Sequence, residues 1–234
     1  MKNHKIIPAV IVTVGIALLG LFIKQGIDNY SYRDRIVSVR GLAEREVKAN
    51  SVTWPVVYQC AANDLNTIYT DIKTKSTAIV KFLKANGIQD SEIEVIAPSV
   101  TDNQANSYAY STPLNRYTVN GVIVVTSNNV DLVTSLVKRQ SELLKEGVAV
   151  VSGGWDNRIT YDYTELNTIK PEMIAEATAN AREAAKKFAE DSDSKLGKIK
   201  TASQGQFTIN DRDSYTPYIK NVRVVSTITY YLED

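Results

Sequence analysis

Histidine and cysteine are almost missing from this chain: its 234 residues contain one of each, His4 and Cys60. One thiol makes no intrachain disulfide, and a serine nucleophile in the body has no imidazole to act as its base. An excess of charge is missing as well, with 27 Lys+Arg against 26 Asp+Glu. The first 27 residues hold Lys2, Lys5 and Lys24 and no acid, so 24 basic and 26 acidic side chains remain after them. A mildly acidic body has no electrostatic reason to follow phosphate backbones, which argues against nucleic acid as a partner. General disorder is excluded too. The 44% apolar and 23% charged residues are ordinary globular composition, in a chain long enough for one large domain or two small ones.

What is present at the start is an unbroken apolar run, IIPAVIVTVGIALLGLFI, over residues 6–23. As a helix rising 1.5 Å per residue it reaches roughly 27 Å, close to the hydrocarbon thickness of a bilayer. Pro8 falls in the first turn of such a helix, where its missing N–H costs little. The run is longer than the usual signal-peptide core, and no small-x-small cleavage pattern follows it. It reads as a retained anchor over residues 1–27, with a cleaved signal peptide as the alternative. Lys2 and Lys5 keep the amino terminus on the cytoplasmic side, which sends the body across the membrane. The expected location is therefore the inner or cytoplasmic membrane, single-pass, with the carboxy-terminal domain in the periplasm or outside the cell. A polar juxtamembrane linker is expected over residues 28–35. Cys60 lies too deep in the chain for lipid attachment and reads as a small buried residue in VVYQCAA.

Over residues 36–233, three helical segments alternate with strand-like runs. In the first, Leu65, Ile68, Ile72, Ile79 and Leu83 recur at helical spacing, with Asn63 or Asp64 as N-cap and Gly87 after the end. In the second, Val130, Val133, Val137 and Leu143 or Leu144 share a face after Asn128 and Asn129, and Gly147 closes it. The third begins near Pro171 and is alanine-rich, with a buried stripe expected at Ile174, Ala177, Ala181, Ala184 or Ala185, and Phe188. Between them lie period-2 segments, VSVRG, EVKANSVTWPVVYQ, SEIEVIAPSV, RYTVNGVIVVTS, ITYDYTE, KIKTASQGQFTI and VRVVSTITYYL. In the last, Val222, Val224, Ser226, Ile228 and Tyr230 fall on one face. Pro55 marks an edge or a bulge. Several neighbouring strands are joined by loops too short for a crossover, so the fold expected is α+β, with antiparallel or mixed sheets carrying helices on one face. Two subdomains are expected, with a boundary near 128–155.

Few side chains invite a chemical reading. Asp211 and Asp213 flank Arg212 at a spacing that could hold a divalent cation, but a cation needs about six oxygens and Arg212 already neutralises the pair, so a solvated turn is expected. Asp90, Glu92 and Glu94 alternate toward a strand; their mutual repulsion points to an exposed edge, not an acid–base pair. Thr74 and the SDSK of residues 192–195 sit in capping or helix-surface contexts, and Gly153-Gly154 before Trp155 lacks any phosphate-loop spacing. Catalytic, cofactor and metal residues are accordingly assigned as none. Tyrosine outnumbers phenylalanine 13 to 4 and gathers in loop-like stretches at Tyr108 and Tyr110, Tyr161 and Tyr163, and Tyr215 and Tyr218, the kind of residue that serves wet interfaces as well as strand surfaces.

The order and spacing of VSVRGLAEREVKANS, NGIQDSEIEV, YTVNGVIVVT and above all PEMIAEATANAREAAKKFAEDSDSKLGKIKTASQG resemble the SIMPL domain family over residues 35–232. The resemblance implies an exported or envelope-anchored bacterial protein with an α+β fold of two subdomains. Some members resemble self-assembling periplasmic proteins, others are linked to oxidative-stress defence, and none supplies catalytic residues to carry over. The expectation is a non-enzymatic, membrane-anchored envelope protein that forms a homo-oligomer, without cofactor. The alternative is a module binding a small molecule or envelope component in a cleft between subdomains. Retention of the anchor predicts that chain recovered from membranes keeps its full mass of 25.9 kDa by mass spectrometry; a cut within residues 20–25 would shorten it by a readily resolved amount.

Overall fold

The computed structural model describes residues 6–32, 35–105, 114–151, 154 and 157–233. The order of elements is α1 (Ile6–Tyr32), β1 (Ile36–Lys48), β2 (Ser51–Ala62), α2 (Leu65–Ala85), β3 (Ile93–Asp102), β4 (Tyr117–Ser127), α3 (Val130–Arg139), β5 (Val150–Val151), β6 (Thr160–Asp162), α4 (Leu166–Asp191), β7 (Lys195–Gln204), β8 (Thr208–Asp211) and β9 (Ile219–Glu233). Short 3₁₀ turns at Asp90–Glu92 and Gln140–Glu146 lead into β3 and out of α3.

Apolar all round, α1 is one helix of 27 residues whose window Val10–Ile27, with a mean hydropathy of 2.1, is long and apolar enough to cross a membrane. The helix continues through Tyr32, so most of the linker expected at 28–35 is helical; nothing in KQGIDNYSY breaks a helix that is already nucleated. The chain divides into two compact units that interleave along the sequence. One comprises Met1–Arg45, Asn167–Thr208 and Val222–Asp234, the other Glu46–Leu166 and Ile209–Asn221. The stretch 128–155, where a boundary was expected, lies inside the second unit, where β5 pairs with β2.

The second unit is built on a sheet in the order β3-β4-β2-β5, with β6 also on β2 and every pairing antiparallel. Alternate residues of β2 (Val52, Trp54, Val56, Tyr58, Cys60) and β4 (Val119, Ile123, Val125) are buried beneath α2 and α3. Asp64 accepts from the Thr67 amide and caps α2, and Asn129 accepts from the Leu132 amide and caps α3. Gly87 and Gly147 follow the helical segments with φ of 96° and 74°, a region that favours glycine. Ile68, Ile79 and Leu83 form the buried face of α2, whereas Leu65 at its first turn is exposed; in the second helical segment Leu143 is buried and Leu144 exposed. Pro55 sits in a strand paired on both sides. It is in register with Val124 of β4, and on the opposite side the pairing with β6 ends at Thr53 and that with β5 begins at Val57, so Pro55 falls in the gap between those two partners.

The first unit is built on a sheet in the order β1-β9-β7 with α4 packed across it; β8, which also pairs with β9, belongs from Ile209 onward to the second unit. Val222, Val224, Ser226, Ile228 and Tyr230 are buried on one face of β9, as their alternation predicts. The stripe of α4 differs from expectation: Met173, Ala177, Ala181, Ala185 and Ala189 are buried, while Phe188 is exposed. A strict i, i+4 row of mostly one-carbon side chains lets the helix approach β1 closely. A Cβ on Gly41 would lie 1.8 Å from the Ala177 carbonyl oxygen and 2.5 Å from the Ala181 amide nitrogen, so only glycine fits there. Pro171 is the sixth residue of α4, past its first turn, so it removes one intrahelical hydrogen bond there. Gly41→Ala must push α4 off the sheet and is expected to cost about 1–3 kcal/mol, read as a lowered midpoint in thermal unfolding. An unchanged midpoint would contradict this close approach.

Candidate functional site

The side chains that invited chemistry have structural partners. Asp211 forms an ion pair with the largely buried Lys220. Asp213 organises the turn between β8 and β9: it accepts from the amides of Tyr215 and Thr216, the Thr216 hydroxyl and the Arg212 guanidinium, and Arg212 also reaches Glu46. The hydroxyl of Thr216 and then Arg212 hold the Asp213 carboxyl well below the usual carboxylate range. Glu92 accepts from the Gln89 amide and the Ser127 hydroxyl, Asp90 pairs with Lys84, and Glu94 alone of the three lies in β3. Thr74 donates to the Thr70 carbonyl within α2, and Ser192 donates to the Ala189 carbonyl at the end of α4. Cys60 is buried, which pushes its thiol pKa up and makes it a poor nucleophile. Among the described residues no three His, Cys, Asp or Glu side chains gather as a metal site.

Tyrosines divide in the same way. Tyr161 is buried and meets Tyr218 edge to face at 6.1 Å between centroids, a core contact, whereas Tyr215 is almost fully exposed at the turn tip. Tyr58 lies over Gly121, its partner across the β2–β4 ladder, and fills the space a side chain there would need. Tyr108, Tyr110, Gly153, Trp155 and the basic residues Lys2 and Lys5 lie outside the described residues.

The feature that stands out is instead the outer strand of each sheet. Val95 pairs with Ile123, and Val100 with Val119, so each pair shares one face of the sheet. Ile123 and Val119 are 0% exposed; Val95 and Val100 are 55% and 56% exposed. Cover from α2 and α3 therefore ends at β4, and β3 carries an apolar row into solvent. The first unit repeats the pattern. Tyr230 on β9 is 1% exposed beneath α4, while its ladder partner Ile199 on β7 is 48% exposed. Beside α4 this uncovered strand leaves an open groove of about 670 Å³, lined by Ala175, Ala179, Arg182, Ile199 and Tyr230 among others. The other long edge, β1, is managed differently: Asn180 of α4 donates to the Leu42 carbonyl, and Glu44 and Arg45 are held by Arg223 and Glu172. Sequence reading found the exposed edge at Glu94 but not its counterpart at Ile199, because periodicity shows which residues share a face and not how far a helix covers it.

Two antiparallel sheets backed by helices, preceded by a helix able to span a membrane, define an α+β protein with a possible membrane segment. The model of the SIMPL family, a protein of unknown function (DUF541), matches residues 37–226, and the chain belongs to that family. A search of curated proteins returned no match.

The Asp213 turn yields a pH prediction. Its folded-state pKa lies below the unfolded value of about 3.9, so its contribution to stability is complete above that value and is lost as pH falls below it. Asp213→Asn is expected to lower the melting temperature at neutral pH and to flatten its fall below about pH 4. Melting curves from neutral pH into that range check both, and an acid limb identical to that of the parent chain would refute the assignment.

Proposed function

We propose that the chain is a non-enzymatic, single-span envelope protein whose SIMPL body self-associates into a homo-oligomer. In this reading α1 stays in the cytoplasmic membrane as an anchor, and the body stands in the periplasm or outside the cell, in service of envelope integrity or oxidative-stress defence. The observation that carries it is the uncovered outer strand on both sheets. Exposed, β-branched strand edges are templates for pairing with another chain, and proteins that remain monomeric cover or shorten them. The non-enzymatic reading is supported by the structural duties of Asp211, Asp213, Glu92 and Asp90, each engaged with a neighbour in its own unit. The intact chain, extracted in mild detergent, is expected to sediment as an oligomer that dissociates on dilution; a monomer at all concentrations would overturn self-association.

The groove beside α4 supports a second reading, a module for a small amphipathic ligand with an apolar floor at Ile199 and Tyr230 and a charged rim of Arg182, Glu183 and Lys186. Melting temperature separates the two. Stabilisation by a ligand with no dependence on protein concentration favours binding, and dependence on protein concentration alone favours assembly.

A further inference from the structure

The two uncovered strands have the same length and opposite charge. β3 (Ile93–Asp102) contains acids and no base, and β7 (Lys195–Gln204) contains Lys195, Lys198 and Lys200 and no acid. Glu94 at the start of β3 and Lys198 near the middle of β7 are exposed, and neither has a charged partner among the described residues. Lys200 leans over the Tyr231 ring at 5.5 Å and leaves its ammonium on the surface. The remaining open strands are unsuited to pairing: β5, β6 and β8 have two, three and four residues, and β1 is tied down by Asn180 and by ion pairs.

Resting on the self-association reading above, we infer that β7 of one copy adds to the β3 edge of the next, with Lys198 set against Glu94. Edge addition supplies main-chain hydrogen bonds, and the exposed Val95, Ile96 and Ile199 lose solvent in the same step. Both strands carry devices that also blunt edges: Pro98 and a register shift between Ile96 and Ser99 in β3, and two shifts between Leu196 and Thr201 in β7. These confine regular pairing on β3 to residues 93–96, and on β7 they place Lys198 within the first shift, between Leu196 and Ile199, where it has no register partner on β9. What separates a docking pair from two defended edges is the sign of the charge. Lysines on both edges would repel every approach; acid on one and base on the other repel β3–β3 and β7–β7 contacts and attract β3–β7. A contact between unlike surfaces is heterologous, so copies add head to tail and give a ring where the rotation closes, or a filament where it does not.

Charge reversal in the intact detergent-extracted chain tests the contact. Glu94→Lys or Lys198→Glu alone is expected to weaken assembly roughly tenfold, and the double reversal to restore it, with the melting of the diluted chain unchanged in all three. A cysteine pair adds a direct readout, since the native Cys60 is buried. Glu94→Cys chains mixed with Lys198→Cys chains should form a covalent dimer on mild oxidation, and neither variant should do so by itself. If the parent chain assembles but single reversals have no effect, or the double reversal fails to rescue, or Glu94→Cys links to itself, self-association stands and this contact is wrong. If the parent chain is monomeric, the self-association reading falls and this contact with it.

Discussion

Everything distinctive in this protein follows from the limited width of its helical layer. A helix with its side chains is about 10–12 Å across and strands are spaced about 4.8 Å apart, so one helix covers roughly two strands. In the first unit α4 lies over β1 and β9, burying Val39, Ile228 and Tyr230, and β7 is left outside. In the second, α2 and α3 both pack over the same two strands, β2 and β4, so a second helix adds no lateral cover and β3 is left outside. The transition is abrupt because the ladder partner of a fully buried residue can be more than half exposed one strand further out.

Close approach makes this arrangement tight where it exists. Ala177, Ala181 and Ala185 place only methyl groups between α4 and the sheet, and Gly41 removes even that from the strand side. The same small side chains limit how far the helix can shield the sheet laterally, since an alanine stripe has no reach toward a neighbouring strand. Dense packing at β1 and exposure at β7 are thus two results of one choice of residues.

Much of the architecture was legible in the chain itself. The caps at Asp64 and Asn129, the left-handed glycines at 87 and 147, the alternation along β9 and the membrane-length helix all rest on local backbone or solvation preferences that operate within a few residues. The misreadings fall where local rules leave a tie. Ile174 and Phe188 compete with Met173 and Ala189 for the inner face of α4, and larger apolar residues won on hydrophobicity; the sheet instead selected the row that fits closest. Leu65 looked buried because it is in phase with Ile68 and Ile72, but it sits at the helix start where the sheet no longer faces it.

Sequence alone determined the kinds of elements, the caps that open α2 and α3, and the scarcity of groups able to do acid–base chemistry, because each depends on residue identity and short-range geometry; it did not set the end of α1 at Tyr32 or the start of α4 at Leu166. Tertiary structure alone decided which strands became edges. SEIEVIAPSV and VRVVSTITYYL both alternate, yet one ends up half bare at the rim of its sheet and the other is enclosed between two neighbours and a helix. Strand order is set by long-range pairing, in which β9 returns from the far end of the chain to lie between β1 and β7, and no pattern within a single strand records who its neighbours will be.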